Sequence, residues 1–309
     1  MTACVAFLFP GQGAQSPGFL HALPPHPAIT ATLDEACHAL NTSLDKLDAS
    51  DALHSTVGVQ LATLVAGVAA ARALAAEGAL PFAVAGLSIG SYAAAVACGT
   101  LAFRDALHLA QLRALYMERA YPRGYGMAAI TGLTERHVTR LIQPIDGVYL
   151  ANINAPTQLV LAGADAGLEA AMASARKAGA RTVRRLDIAV PSHCILQQNA
   201  AEQLLKAFDG VKLEPPRIPC VGNVGGRALH TADAIRNDLA TNLARPVRWH
   251  DATRVLYELG ARVFVELPPG HALSDLAREA FPDARTLAME NQSPEAIAGV
   301  LTQRQGTGV

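Results

Sequence analysis

An α/β protein with a mainly parallel sheet and a second, smaller sheet inserted into it is the fold class that the sequence predicts. Three observations lead there. Apolar strand-like runs alternate with helical stretches at both ends of the chain, the order that puts helices on the faces of a parallel sheet. The middle breaks that alternation and reads β-α-β-β-α-β, which is the ferredoxin-like arrangement. Finally, 51% of the 309 residues are hydrophobic and 17% charged, ample for one large core and one small one.

Taken in order, Val5 to Phe9 is a continuous apolar strand that ends in "PGQG". Val57 to Ala76 is helical. Phe82 to Leu87 reads as a short buried strand, followed by a helix of small residues over Ser91 to Cys98 and another over Phe103 to Ala120. In the middle, "GMAAITGL" predicts a strand, "TERHVTRLIQ" a helix, and "VYLANI" and "TQLVLAG" two strands. "DAGLEAAMASARKAG" then predicts a helix and "TVRRLDIAV" a last strand. These six segments define an inserted subdomain at 126–190, so that 1–125 and 191–309 join as one large domain. There the sequence predicts a strand near Arg217–Val221, helices over Ala232–Leu243 and Arg248–Leu259, and a strand over Arg262–Leu267. A helix over Ala272–Ala280 and the strand-like "ARTLAM" complete it. The tail "TQRQGTGV" reads as disordered.

Composition excludes several function classes. With 25 basic and 26 acidic residues, the chain lacks the basic stripe of a nucleic-acid binder. Five scattered cysteines without C-x-x-C spacing argue for reduced thiols in a cytoplasmic setting, and against a disulfide framework or a zinc cluster. No Lys or Arg precedes Lys46, so the start lacks the positive region of a secretory signal. Gly78 to Phe103 carries no charge and is long enough to span a bilayer. However, Pro81, Gly86, Gly90 and Gly99 interrupt it and no basic cluster flanks it, which favours a buried strand and helix over a membrane span.

The chemistry concentrates in "VAGLSIGSYAAAVACG" (Val84–Gly99), which contains G-x-S-x-G around Ser88. A serine at the tip of a strand-to-helix turn has a strained backbone with its flanking residues pressed together, and Gly86 and Gly90 remove the side chains that would collide. The turn also aims the backbone N–H of Ile89 and the start of the next helix at a reacting carbonyl. The small residues could instead serve packing alone, but the strand before and the helix after supply the context that a nucleophile requires. In "FPGQG" the glycine-bracketed turn offers the Gln12 N–H as a second oxyanion donor, although strand-ending turns of this kind are common.

A serine needs a base. His193 in "AVPSHCIL" lies where the chain re-enters the large domain; His250 and His271 compete with it, and spacing does not separate the three. Cys194 has no context that would make a thiolate. Arg113 borders the apolar face of "LHLAQLRALYMERAY". Its guanidinium is either a snorkelling head in water or a clamp for a substrate carboxylate.

In this order the segments "FLFPGQGAQSPG", "VAGLSIGSYAAAVACG", "LRALYMERA", "GMAAITGL", "NAPTQLVLAG", "AVPSHC", "ARPVRW" and "ELPPGHALSDL" resemble the malonyl-CoA:acyl-carrier-protein transacylase family over nearly the whole chain. Within it, "GYGMAAI" and "PVRWHDATRVLYELGARVFVELPPGHAL" are most similar to the epsilon subunit of malonate decarboxylase. The resemblance implies an α/β-hydrolase-like large domain and makes Ser88 the acylated nucleophile with His193 as its base. It further implies that Gln12 and Ile89 are the oxyanion amides, Arg113 the carboxylate clamp and Asn242 the residue whose main-chain carbonyl orients the histidine. Malonyl-CoA would be the substrate and a phosphopantetheine-type thiol on an acyl carrier protein the acceptor. Malonate decarboxylase subunits are expected partners, and neither metal nor bound cofactor is implied. Leu87 stands where the family often has histidine, a departure in the acyl pocket. The expected alternatives are a fatty-acid-synthesis malonyl transacylase, a serine thioesterase or esterase using His271 and Asp251, and a scaffold that only docks a carrier protein.

Overall fold

The computed structural model describes residues 4–290 and 292–302. The tail expected to be disordered lies, from Gln303 onward, outside the described residues. The first part of the chain forms β1 (Cys4–Phe9), α1 (Pro27–Leu40), the single turn α2 (Leu44–Leu47), α3 (Thr56–Ala76), β2 (Ala83–Gly86), α4 (Gly90–Ala97) and α5 (Phe103–Ala120). The middle forms β3 (Tyr125–Thr131), α6 (Glu135–Ile142), β4 (Val148–Ala155), β5 (Gln158–Ala164), α7 (Asp165–Lys177) and β6 (Thr182–Arg185). The rest comprises α8 (Gln198–Ala207), β7 (Cys220–Val221), β8 (Ala228–Leu229), α9 (Ala232–Thr241), α10 (Trp249–Glu258), β9 (Ala261–Glu266), α11 (Ala272–Ala280), β10 (Arg285–Ala288) and α12 (Pro294–Thr302).

Among the described residues, one sheet has the order β10-β9-β1-β2-β7-β8 and is parallel except for the antiparallel β7–β8 pair. Its central strand is apolar on both faces, as a doubly covered parallel strand must be. Phe7 and Phe9 point into the core shared with α3, α4 and α5, while Ala6 and Leu8 point into the core built on Trp249, Phe264 and Leu273. Helix α3 is mainly apolar without a single polar face and is central to the first of these cores, as expected of a helix covered on most sides. By length and composition it is the one described helix that could cross a membrane, but 83% of its most apolar window is buried inside the protein. The stretch weighed as a span in the sequence, Gly78 to Phe103, is instead a strand and a helix separated by the Ser88 turn.

The second sheet has the order β4-β5-β3-β6, antiparallel throughout, with α6 and α7 packed on one face. That is the ferredoxin-like strand order expected from the β-α-β-β-α-β reading. Residues alternate between its faces: Ala128 and Ile130 join the core under the helices, whereas Met127, Val160 and Ala162 join a smaller cluster with Cys194. The small sheet is tied by backbone bonds to the segment that precedes α10, since Val247 donates to Ala151 at 2.8 Å and Ile153 donates to Val247 at 2.9 Å.

Helices α8 and α12 are absent from the sequence reading, and further differences fall at prolines and element ends. The strand expected near Arg217–Val221 pairs only at Cys220–Val221, because Pro215, Pro216 and Pro219 remove backbone donors before it. The final strand of the small sheet stops at Arg185. Helix α1, absent from the sequence reading, begins at Pro27 behind a proline-rich run, with His26 as its N-cap.

Candidate active site

Between β2 and α4 the chain turns sharply at Ser88, whose φ is +55°, a conformation that non-glycine residues rarely adopt. The turn requires glycine on both sides. A Cβ on Gly86 would lie 2.1 Å from the Gly90 carbonyl carbon, and one on Gly90 would lie 2.2 Å from the Phe9 carbonyl oxygen. The compression argued from G-x-S-x-G is therefore present in the backbone. Gly90, Ser91 and Tyr92 donate their amides back to Leu87, Ser88 and Ile89 as α4 begins, so Ile89 lies at the N-terminal end of the helix, where backbone N–H groups lack helical partners.

His193 also has a positive φ, +63°, and its backbone N–H donates to the Leu243 carbonyl at 2.7 Å. Two strained backbones facing each other are the kind of local cost that persists where the surroundings over-determine it. The His193 ring lies between Ser88 and Asn242: Nδ1–H donates to the Asn242 carbonyl at 2.6 Å, leaving Nε2 to accept from the Ser88 hydroxyl at 2.7 Å. The carbonyl fixes the tautomer that presents a lone pair to the serine. Burial first, then the positive charge of Arg113, lowers the His193 pKa to about 3, although the Asn242 carbonyl works the other way. The imidazole is therefore neutral at physiological pH.

Arg113 is not a snorkelling side chain. It is 1% exposed, with Nη1 donating to Gln60 Oε1 at 2.6 Å and Nη2 to Ser88 Oγ at 3.1 Å and Asn242 Oδ1 at 3.3 Å. Burial lowers its pKa to about 10, so it keeps its charge at neutral pH. Asn242 thus engages the site twice, by its carbonyl and by its side chain; Asn242 Nδ2 also donates to Ser91 Oγ. Gln60, which the sequence reading missed, is a fully buried amide in the mainly apolar α3. A carboxamide among apolar neighbours in such a helix was the available signal.

The other histidines stand apart. His271 is exposed and faces Asp275 at 2.8 Å, while Asp251 is held by Arg248. The alternative pairing of Ser88 with His271 and Asp251 is therefore overturned: the ring on the serine is His193. His250 lies on α10 with its pKa lowered, chiefly by burial. Burial raises the Cys194 thiol to about 11, in keeping with an inert cysteine.

Ser88 and His193 open into a cleft of about 580 Å³ between the two sheets, within the range of small-molecule sites. Its large-sheet side includes Gln12, Leu87 and Glu266, and its small-sheet side includes Met127, Asn152, Asn154 and Arg184. The amide oxygens of Asn152 and Asn154 are buried without a protein partner. Burial raises the Glu266 carboxyl to about 6 despite a hydrogen bond from the Ser274 amide at 2.6 Å.

Among the described residues, one cluster outside the cleft has ligand-type atoms: those of His26, Glu77 and Glu295 lie within 4.8 Å of one another. His26 Nδ1 accepts from the Ala28 amide at 3.1 Å, so its proton is on Nε2, which meets Glu77 at 3.2 Å. A metal would need the lone pair that this proton occupies, and the cluster reads as a helix cap with an acidic partner.

The chain matches the acyl transferase domain family over residues 6–308. It is 34% identical over 307 residues to the malonyl CoA-acyl carrier protein transacylase of Salmonella typhimurium, covering 96% of this chain and 99% of that protein. The solved malonyl CoA-acyl carrier protein transacylase of Coxiella burnetii superposes with a TM-score of 0.92 at 33% identity, covering 98% of both chains. A malonyl-transacylase solved with its type II PKS acyl-carrier protein superposes at 0.89 and 31% identity, covering 97% of this chain and all of that one. A glycine-flanked serine on a strained turn, met by a neutral imidazole and a buried guanidinium, is thus set in an acyltransferase, and the chain belongs to the malonyl-CoA:acyl-carrier-protein transacylase family.

Proposed function

We propose that this enzyme moves a malonyl group from coenzyme A to the thiol of an acyl carrier protein through a malonyl ester on Ser88. The observation that carries the reading is the Ser88 oxygen itself, held 2.7 Å from His193 Nε2 and 3.1 Å from Arg113 Nη2. A neutral base and a fixed cation meet at one hydroxyl.

In the first half-reaction Ser88 Oγ attacks the thioester carbonyl as its proton passes to His193 Nε2. The tetrahedral oxyanion rests on the backbone amides of Gln12 and Ile89. The C–S bond breaks, and the coenzyme A sulfur leaves with the proton from His193. In the second half the carrier thiol gives its proton to His193 and attacks the ester, and Ser88 recovers its hydrogen. Unlike a triad with a carboxylate, the imidazolium formed here is oriented by the Asn242 carbonyl.

Arg113 supplies the selectivity. Its guanidinium adjoins the attacked carbon's site, where the free carboxylate of a malonyl group can form a charge-assisted pair with it. That pairing also offsets the positive charge that depresses His193, so the substrate itself raises the basicity of the group that must take the proton. The unpaired amide oxygens of Asn152 and Asn154 offer acceptors to the amide N–H groups of a pantetheine arm. We also propose that residues 126–190 form the inserted subdomain that covers the cleft, with 1–125 and 191–309 as the large domain, and that the enzyme is cytoplasmic, its five cysteines being free thiols.

For the acceptor we propose the carrier subunit of a malonate decarboxylase system, on the strength of "GYGMAAI" and the "PVRW…PPGHAL" segment. A fatty-acid-synthesis carrier is the second reading, supported by relatives that are named malonyl CoA-acyl carrier protein transacylases. Rates of transfer to the two purified carriers distinguish these readings. The activity itself is tested by intact mass after mixing with malonyl-CoA. A malonyl adduct on the wild type that is absent from Ser88→Ala supports the reading, whereas an unmodified wild type overturns it.

A further inference from the structure

The bend at Ser88 has a buried partner that the reaction does not touch. Asn223 follows β7, the strand paired with β2 through Val84–Cys220 and Ala85–Val221. At Asn223 the pairing passes from backbone to side chain. Asn223 Oδ1 accepts from the Ser88 amide at 2.8 Å, and Asn223 Nδ2 donates to the Gly86 carbonyl at 2.8 Å. Those two backbone groups would bond to a neighbouring strand if β2 continued straight. Because the turn breaks away, both would be buried without partners, a costly state for backbone groups. A carboxamide has the donor and the acceptor, at the right separation, to satisfy both.

Asn223 is itself fixed from behind. Its amide donates to Asp238 Oδ2 at 3.1 Å, the Val224 amide to Asp238 Oδ1 at 2.8 Å, and its carbonyl accepts from the Arg248 amide at 3.0 Å. The carboxylate fits so closely that a Cβ on Gly222 would lie 2.6 Å from Asp238 Oδ1. Asp238 is on α9, four residues before Asn242, so the two share a face of the helix where it ends. Asn242 holds His193 and Arg113; Asp238, through Asn223, holds the backbone of Ser88.

We propose that Asp238 and Asn223 are positioning residues that lock the Ser88 turn, and with it the Ile89 amide, in register with His193, so that one end of α9 sets both nucleophile and base. The inference rests on the proposed roles of Ser88 and His193. Its test compares the wild type with Asn223→Ala, Asn223→Asp and Asp238→Asn, measuring kcat and KM for malonyl transfer, thermal midpoint and the rate of adduct formation.

Asn223→Ala is expected to lower kcat by roughly 10–100-fold with KM within about twofold, less than the ~10²–10³-fold of losing an oxyanion donor outright because the Ile89 amide remains but is less well aimed, and Asp238→Asn by about tenfold. In Asn223→Asp a carboxylate would oppose the Gly86 carbonyl, but its protonated form regains the donor. Its activity relative to the wild type should therefore rise as pH falls, with Asp238, His193, Arg113 and Arg227 as the neighbouring ionisable groups. A merely structural role would lower the thermal midpoint and leave kcat per folded molecule unchanged. That result, or an Asn223→Asp enzyme with no relative gain at low pH, overturns the proposal. If Asn223→Ala does not fold, the other two variants decide the question. A wild type that forms no malonyl adduct would instead count against the functional reading, so the two failures are distinguishable.

Discussion

On the large-sheet wall of the cleft, the polar side chains around the nucleophile are already engaged: Ser88 with His193 and Arg113, His193 with Asn242, Arg113 with Gln60. On the small-sheet wall, Asn152 and Asn154 present amide oxygens with no protein partner, and Arg184 is exposed at the rim. In the proposed mechanism the first wall is organised around Ser88 before substrate arrives, although Arg113 Nε and Glu266 Oε1 there also lack a protein partner, and the second is completed by the substrate. Groups that must act in the transition state gain by being fixed in advance, because nothing has to reorganise at the moment of reaction. Groups that only hold the substrate can wait for it. Substitutions on the first wall should therefore reduce kcat, and substitutions on the second should raise KM.

The largest effect is expected at the base. His193→Ala should lower malonyl transfer by ~10³-fold or more, since nucleophile and base act as a unit. His271→Ala should stay within about twofold, its ring being exposed and paired with Asp275. Transfer assays on both variants check this. An active His193→Ala beside a dead His271→Ala would dissolve the contrast between the walls, because the organised wall would then lack its base.

Arg113→Ala comes next. Charge-assisted hydrogen bonds contribute about 1.5–3 kcal/mol, so malonyl transfer should fall by roughly 10–150-fold while acetyl transfer holds or rises. Equal losses for both acyl groups would show the guanidinium serving only the fold. The same variant tests the electrostatic link to His193. A histidine held near 3 by burial and the Arg113 charge stays neutral through the ordinary histidine range, so kcat/KM should remain level as pH falls through about 6.5. Removing the cation should move the acid limb upward, read with acetyl-CoA for both enzymes.

Stability in acid follows from the same groups with opposite signs. His193 has a depressed folded pKa, so below 6.5 the unfolded chain takes up a proton that the native state refuses, and stability is lost as pH falls towards 3. Asp238 and Glu266 are raised to about 6 by burial. There the native state is protonated before the unfolded one, so both favour the fold as pH falls from about 6 into the ordinary carboxylate range. His193→Ala should accordingly be less sensitive to acid between pH 6 and 4 than the wild type, as measured by urea titration.

How much of this could be read from the chain depends on whether a partner is local. The Ser88 turn was legible because the close approach of Gly86 to Gly90 lies within five residues, whereas the contact of Gly90 with the Phe9 carbonyl was not, and the two cores because strand and helix periods are local. His193 could not be chosen over His250 and His271 by spacing; the family resemblance chose it, and its ring lies 2.7 Å from the Ser88 hydroxyl. Asn223 was invisible because its partner is 135 residues away and "VGNVGG" reads as an ordinary turn. The double engagement of Asn242 was only half legible: a backbone role can be assigned to any residue type, but the contact to Arg113 depends on α5 and α9 meeting in space.

The smallest effect tests the waiting wall. Asn154 leaves its amide oxygen buried and unpartnered on a strand whose neighbours, Asn152 and Gln158, also line the cleft. A single neutral hydrogen bond contributes about 0.5–1.5 kcal/mol, so Asn154→Ala should raise the KM for malonyl-CoA by roughly 2–10-fold and leave kcat nearly unchanged. Because that oxygen has no protein partner to abandon, its removal should cost little stability, unlike Asn223, whose loss strands two backbone groups. A fall in kcat at constant KM would mean that the small sheet acts on the reacting centre and not only on the arm that carries the acyl group. The cleft would then have two organised walls, and its substrate would have to enter a site already closed on both sides.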